Sequence, residues 1–490
     1  MRNLTVGPPT RLILLFSLPL LLGNLFQQFY IFVDSAVVGR IIGQDGLAAV
    51  GLTGRMVFLI IGFSWGATAG FAIPVAKAFG AKDYPQVKRN IASSAIVASF
   101  VIVAITAAGL YFGDSLLRLI NTPDELFTMA SEYQAIMFGT AVFTVGFNWL
   151  AATIRALGDS KTPLYFLIAS NILNAVFSYI AVGPMSMGVA GSAWGTAAAQ
   201  LITIVACVWY AKRKMPEMFP TIADFKEGIH ELSIPAKSGL PMGFQMSVIG
   251  LGTVILGAAI NGLGTEAVAA STVAGRLEGL TMAPLNTFGV AMTTYVAQNY
   301  GAKQYARIRT GVFRMVIVSV IVAFTLGTLQ LVFVDYLVRL FTTDPSAQVV
   351  SFVHTHFQIS LFMYFTLGIL FIVRNTIQGL GAAMVPTIAG FAELGLRSTG
   401  AIVLAGTLGL GWVGVVWANP LAWAGAMVMC GISYLFHRKR LVRLERGEIT
   451  QDDVVDFGFP HDDVAHDAET PARSPFRLGQ SSKLEVGLAS

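Results

Sequence analysis

Apolar stretches of about twenty residues recur along this chain from Leu12 to Phe436. No other feature constrains the fold as strongly. A helix of about twenty apolar residues spans the ~30 Å of hydrocarbon in a bilayer. Irregular backbone there would leave peptide groups unpaired at several kcal/mol each, so the spans are expected to be helices. Strands are excluded because the runs are too long and do not alternate. Only 12% of the 490 residues are charged and 55% are hydrophobic, with a mean hydropathy of +0.68. A soluble protein of this length needs more charge to cover its surface.

The expected fold class is an all-α integral membrane protein, with twelve transmembrane helices near 12–37, 54–78, 91–112, 126–152, 162–184, 189–211, 238–261, 275–299, 311–333, 349–373, 386–407 and 412–436. Loops after the even spans are basic, with Lys82, Lys88 and Arg89, then Arg155 and Lys161, Lys212 to Lys214, and Lys303, Arg307 and Arg309. Loops after the odd spans hold little beyond Arg40, Arg118 and Arg339. The positive-inside rule then places both termini in the cytoplasm. No small-residue cleavage site follows the first stretch, which is expected to stay as an anchor.

The chain repeats itself. Pro19 and Pro241 are 222 apart; Arg55 and Arg276, Lys82 and Lys303, and Asp114 and Asp335 are each 221 apart; Gly158 and Gly381 are 223 apart. Ordered matches at nearly constant shift signal duplication. Six spans per half is an even number, so the halves enter the membrane from one side and form two pseudo-two-fold-related six-helix lobes, an arrangement typical of secondary transporters. The expected domains are a first lobe over 1–211, a basic cytoplasmic linker over 212–237, a second lobe over 238–440 and a polar, disordered tail over 447–490. His461 and His466 in that tail read as part of a solvated acidic segment.

Polar residues inside spans each need a reason, since an ionisable group near the middle of a span costs ~2.5–3.5 kcal/mol or more. Gln27, Tyr30 and Asp34 follow spacings of three and four and share a helix face. One reading puts Asp34 in a cavity, where proton and cargo, or sodium and cargo, alternately satisfy one buried acid. The other puts it at the outer interface, paired with Arg40. Asn174 and Ser178 share a face of the fifth span, and Thr196 lies on the sixth; they are either a polar site or ordinary interhelical hydrogen bonds worth ~0.6 kcal/mol. Asn148 is similar, and Gln245 is the strongly polar residue near the start of the seventh span. Glu393 and Arg397, four apart, read as a structural ion pair. Arg276 and Glu278 read as interfacial, and Pro19, Pro74, Pro241 and Pro284 as bending points.

Several chemistries leave no trace. There is no Gly-rich GK[ST] loop and no HExxH or GxSxG on a suitable scaffold. His354 and His356 are one residue apart and point to different helix faces. Cys207 and Cys430 fall within spans, which supports neither a disulfide framework nor a thiolate metal site. No cofactor, nucleic-acid partner or enzymatic activity is expected, and an ion gradient must supply the energy.

The motifs VDSAVVGRIIGQDGLAAVG (Val33–Gly51), GAKDYPQVKRN (Gly80–Asn90), IRALGDSKTP (Ile154–Pro163), GVAGSAWGT (Gly188–Thr196) and VAQNYGAKQYARI (Val296–Ile308) resemble the multidrug and toxic compound extrusion (MATE) family. The pattern looks closest to its bacterial DinF-like branch, since the seventh span carries Gln245 where another branch has a glutamate. The resemblance implies a monomeric antiporter of the bacterial inner membrane that expels lipophilic, often cationic, compounds against protons or Na+. It implies a coupling site of Asp34, Tyr30, Asn174, Ser178 and Thr196, with Gln27, Asn148 and Gln245 in the substrate cavity. Ser178 stands where the family pattern has a second acid. The alternative is a flippase for lipid-linked precursors, which requires a cationic central cavity; the intramembrane arginines read as few and peripheral. A membrane enzyme would need a convergent cluster of acids or histidines within the spans.

Overall fold

The computed structural model describes residues 3–453 apart from 121, 217–218, 343–344 and 452, and leaves the side chains of 29–32, 55–56 and 58–59 undescribed. The expected tail, with His461 and His466, lies almost wholly outside the described residues. The first half comprises α1 (Pro9–Ile41), α2 (Gln44–Gly80), α3 (Tyr84–Leu119), α4 (Asp124–Gly139), α5 (Ala141–Ala156), α6 (Lys161–Val182) and α7 (Gly188–Lys214). A short α8 (Ile222–Gly228) follows. The second half comprises α9 (Ser233–Asn261), α10 (Thr265–Gly301), α11 (Tyr305–Val332), α12 (Val334–Phe341), α13 (Ala347–Gly379), α14 (Met384–Gly400), which continues as a π-helical turn over Ala401–Thr407, and α15 (Gly411–Glu445).

Nine described helices are long and apolar enough to cross a membrane, ten when α4 and α5 count as one span bent by 45°. With α2 and α10, of 37 residues each, the spans number twelve, six in each lobe. The fourth span, expected as one helix, is thus broken. Thr140 Oγ1 bonds back to Ile136 O (2.7 Å), and Thr106 Oγ1 on α3 donates to Phe138 O (3.0 Å). Side chains that enter the backbone ladder bend a helix.

The duplication is written into the backbone. Gly43 and Gly264, 221 apart, precede α2 and α10 with φ of 98° and 97°, a left-handed region that favours glycine. The turns after α2 and α10 put Lys82 and Lys303 at φ 62° and 57°, and each closes with the same pattern: Asp83 N to Ala78 O, and Gln304 N to Asn299 O.

The halves meet where α2 and α10 cross at their last turns. A Cβ on Gly80 would stand 1.9 Å from Gln298 O, and one on Gly301 would stand 1.9 Å from Lys77 O. Lys77 and Gln298 are themselves 221 apart, so the crossing obeys the pseudo-two-fold. Around it, Lys77 Nζ donates to Leu380 O (2.8 Å) and lies over the Tyr300 ring, while Gln298 Nε2 donates to Ala156 O (2.7 Å). Gln298 Oε1 accepts from Leu4 N (3.1 Å), which ties down the start of the chain. The apolar core respects the same seam: Ile13 and Phe16 of α1 pack with Leu285 and Met292 of α10.

Between α7 and α9 the chain is not a plain connector. Thr221 and Asp224 form a reciprocal cap on α8, and Arg89 bonds Glu227 (2.9 Å) while Gln86 bonds Glu231 (2.8 Å). The Thr221 backbone N–H holds the Asp224 carboxyl below the usual carboxylate range. Its contribution is therefore present above an unfolded value near ~3.9 and fades as pH falls through the folded value.

Three outcomes are expected here. Gly80→Ala and Gly301→Ala should each cost about 1–3 kcal/mol by overpacking the crossing, read as a lower melting temperature in detergent. Gly431→Ala, where a Cβ meets nothing within 4 Å, should be neutral or stabilising. Asp224→Asn should speed amide exchange in α8 at neutral pH and leave the span helices unchanged.

Candidate functional site

Asp34 is 6% exposed, with its Oδ1 accepting from Ser192 Oγ at 2.7 Å and from Ser178 Oγ at 3.3 Å. Arg40 is exposed and forms no ion pair with it among the described residues. Asp34 is thus packed against α6 and α7 rather than paired with Arg40. The partners come from a pair of polar stripes. Asn174 and Ser178 lie one turn apart on α6, and Ser192 and Thr196 one turn apart on α7. Gly195 lets these helices close up, since a Cβ there would stand 2.6 Å from Ser178 N. Asn174 Nδ2 donates to Thr196 Oγ1 (2.7 Å), and Thr196 Oγ1 donates to Ser192 O (3.1 Å). Asn174 Oδ1 is buried and has no hydrogen bond among the described residues. The side chain of Tyr30 on α1 lies outside the described residues.

Asp34, Asn174, Ser178 and Thr196 are thus brought together, and Ser192, which sequence reading missed, is the nearest donor to the acid. The available signal was its position four residues before Thr196, on the same face of α7. The carboxylate, the three hydroxyls and Asn174 Oδ1 are hard oxygens, the ligand type that a proton or a small hard cation takes.

No hydrogen bond among the described residues joins the three residues expected to line a substrate cavity. Gln27 on α1 and Asn148 on α5 are half-buried, and Asn148 Nδ2 has no partner among the described residues. Gln245 is buried in the second half, where its Oε1 accepts from Gln378 Nε2 (2.7 Å), so it is not the isolated polar group the sequence suggested. None of the three lines the open apolar groove of about 500 Å³ between α1, α10 and α11, whose walls include Leu21, Leu25, Pro284, Phe288 and Val322. Asn24 Nδ2 donates to Thr287 Oγ1 (3.2 Å) across the same α1–α10 seam.

Glu393 and Arg397 pair at 2.7 Å as expected of a structural ion pair, but Arg374 on α13 takes the other carboxylate oxygen at 2.7 Å. Both arginines are buried, which corrects the expectation that intramembrane arginines are peripheral. Two guanidiniums share one carboxylate. Glu278 is a second correction. Arg276 is exposed, but Glu278 is buried, because residues two apart on a helix face different ways.

The two halves also match one family description, MatE, over residues 19–180 and 241–403, stretches that begin 222 and end 223 residues apart. The chain belongs to the MATE family. Relatives within reach include two from Bacillus subtilis (strain 168). The chain is 28% identical over 384 residues to a protein described as "Probable multidrug resistance protein YpnP", covering 78% of this chain and 85% of that one. It is 28% identical over 440 residues to "Probable multidrug resistance protein YoeA", covering 88% and 95%. A crystal structure of MATE in the bent conformation superimposes with a TM-score of 0.83 at 23% identity, over 91% of this chain and 98% of that one, which shows the shared MATE fold.

Glu393→Gln should leave two buried guanidiniums without their carboxylate and cost about 3–5 kcal/mol, read as a large fall in melting temperature. Glu448→Gln, whose partners Arg443 and Arg446 are partly or largely exposed, should shift it little.

Proposed function

We propose that this MATE-family chain is a bacterial plasma-membrane antiporter that exports lipophilic, often cationic, compounds in exchange for protons or Na+. The observation that carries the reading is Asp34, buried among Ser178, Ser192, Asn174 and Thr196, with Asn174 Oδ1 left unpartnered among the described residues. An acid held by hydroxyl donors can exchange them for a proton or a cation without a change of backbone. In this reading Asp34 is the exchanging group, Ser192 and Ser178 hold it in its ion-free state, and Asn174 and Thr196 supply further oxygens. Ser178 donates to Asp34 where the family pattern has a carboxylate, so one charge is exchanged there rather than two. The open apolar groove between α1, α10 and α11 suits lipophilic molecules. The names of the Bacillus relatives agree with drug efflux. Both termini and the basic loops face the cytoplasm, with 212–237 as a cytoplasmic linker, and the protein works as a monomer.

A flippase reading draws on one observation, the excess positive charge of Arg374 and Arg397 over Glu393 in the second half, which suits a phosphate-bearing lipid.

The test is transport of a fluorescent lipophilic cation in proteoliposomes, with a proton gradient or a sodium gradient imposed separately. One gradient is expected to drive transport, and Asp34→Asn is expected to lower the rate at least tenfold while melting as the wild type does. Wild-type rates in that variant overturn the role of Asp34. No transport under either gradient, from folded protein, overturns the drug-antiport reading in favour of the flippase.

A further inference from the structure

The segment ahead of α1 is built into the bundle. Leu4 is fully buried, although Val6, two residues on, is 67% exposed. The Thr5 backbone N–H donates to Asn3 Oδ1 (2.9 Å), which folds the chain around Leu4. The Leu4 side chain shares an apolar core with Tyr300, Tyr305 and Ile308 at the junction of α10 and α11. Its backbone is held as well. Leu4 N donates to Gln298 Oε1 (3.1 Å), and Leu4 O accepts from Asn299 Nδ2 (3.3 Å) and Arg307 Nη2 (3.4 Å). All three partners belong to the second half, whereas Leu4 leads into the first.

The receiving surface is fixed in advance. Arg307 Nε donates to Asn299 Oδ1 (3.1 Å), which orients both donors to Leu4 O. Gln451, after α15, donates to Tyr300 O (2.9 Å) and steadies the same turn from within the second half. Gln298 is fully buried, and both ends of its amide are engaged by first-half backbone: Oε1 by Leu4 N, and Nε2 by Ala156 O. Parting the halves at this end strips Gln298 of both partners, and a buried polar group without a partner is costly. The duplicated frame repeats the arrangement. Arg307 on α11 and Gln86 on α3 are 221 apart, and Gln86 bonds Glu231 in the segment that leads into α9. Each half thus sends the segment ahead of its first span onto the start of the other half's third helix. The second-half segment is held partly by the exposed pair of Arg89 and Glu227, a kind of contact that contributes little. The first-half segment is held by a buried side chain and backbone bonds.

We propose that residues 3–8 form a strap that holds the two halves shut at the end carrying Lys82 and Lys303, with Leu4 as its peg. The four residues Thr5 to Pro8 join the peg to α1 at Pro9, so the peg moves with the first half unless that short tether extends. Opening this end therefore draws Leu4 out of the second half and breaks its three backbone bonds. The inference rests on the antiport reading in one respect: a carrier that alternates must open this end, and the strap sets how often it does. It adds to the glycine contacts of the α2–α10 crossing, which allow the halves to meet but do not latch them.

The test measures the distance between the halves, on the full chain in lipid nanodiscs. Spin labels are placed at Lys82→Cys and Lys303→Cys, exposed turn positions on either side of the crossing, and the buried Cys207 and Cys430 give the background in a sample without them. With Leu4 in place, electron–electron resonance is expected to give mainly one short distance. Leu4→Gly removes the buried side chain and is expected to raise the ratio of a longer distance to the short one about tenfold or more. Leu4→Ala is expected to fall between the two, and serves if the glycine variant does not fold. Val6→Gly, on the exposed part of the same strap, is expected to change nothing. A lower melting temperature in Leu4→Gly or Leu4→Ala with unchanged distances makes Leu4 a fold element alone and overturns the strap. An equal shift in Val6→Gly overturns it too, as does a chain with Leu4 intact that shows mainly the longer distance. The distances need neither cargo nor gradient. Failure of transport in proteoliposomes therefore leaves them interpretable, and failure of the strap leaves Asp34 as it was.

Discussion

Hydrocarbon offers no hydrogen bonds, and every polar group placed in it must find a partner inside the protein. For the backbone this dictates helices. For side chains it favours partners on neighbouring spans or in the backbone of the same turn. Asp34 of α1 is met by Ser178 of α6 and Ser192 of α7; Glu393 of α14 is met by Arg374 of α13 as well as by its own neighbour Arg397. The packing of the bundle is thus specified at these points more tightly than by apolar contacts, which do not distinguish a lipid tail from a leucine.

The duplicated frame and the chemistry it carries follow different rules. The frame is symmetric down to the left-handed turns at Gly43 and Gly264 and the reciprocal contacts of Gly80 and Gly301. The chemistry is not. The first half buries an acid among hydroxyls. The second buries two arginines around one acid, and a carboxylate facing a histidine.

The α2–α10 crossing holds the halves together at the end that carries Lys77, Gln298 and Leu380. Its closeness depends on glycine, since any Cβ would strike a carbonyl oxygen. The seam between α1 and α10 is held by softer means, a side-chain hydrogen bond from Asn24 to Thr287 and apolar contacts beside the groove at Leu21 and Phe288.

The sequence by itself determined the helices, their number, the repeat and the shared face of Asn174 and Ser178, while the Asp34 cluster as a set came only from the family resemblance. Each is a local signal: the length of an apolar run, the recurrence of a motif, or a four-residue spacing that puts Asn174 and Ser178 on one face. Only the tertiary structure decided which faces meet. Ser192 was visible as a serine but not as the donor to an acid 158 residues away. Arg374 carried no local mark of joining Glu393, and Glu278 read as interfacial because depth along a span says nothing of the direction a side chain takes. The break at Thr140 likewise depends on a hydroxyl from another helix, Thr106. Helix formation is governed by residues within a turn or two of one another, whereas partner choice is governed by how twelve helices rotate and tilt together, and that rotation is set only when all of them pack.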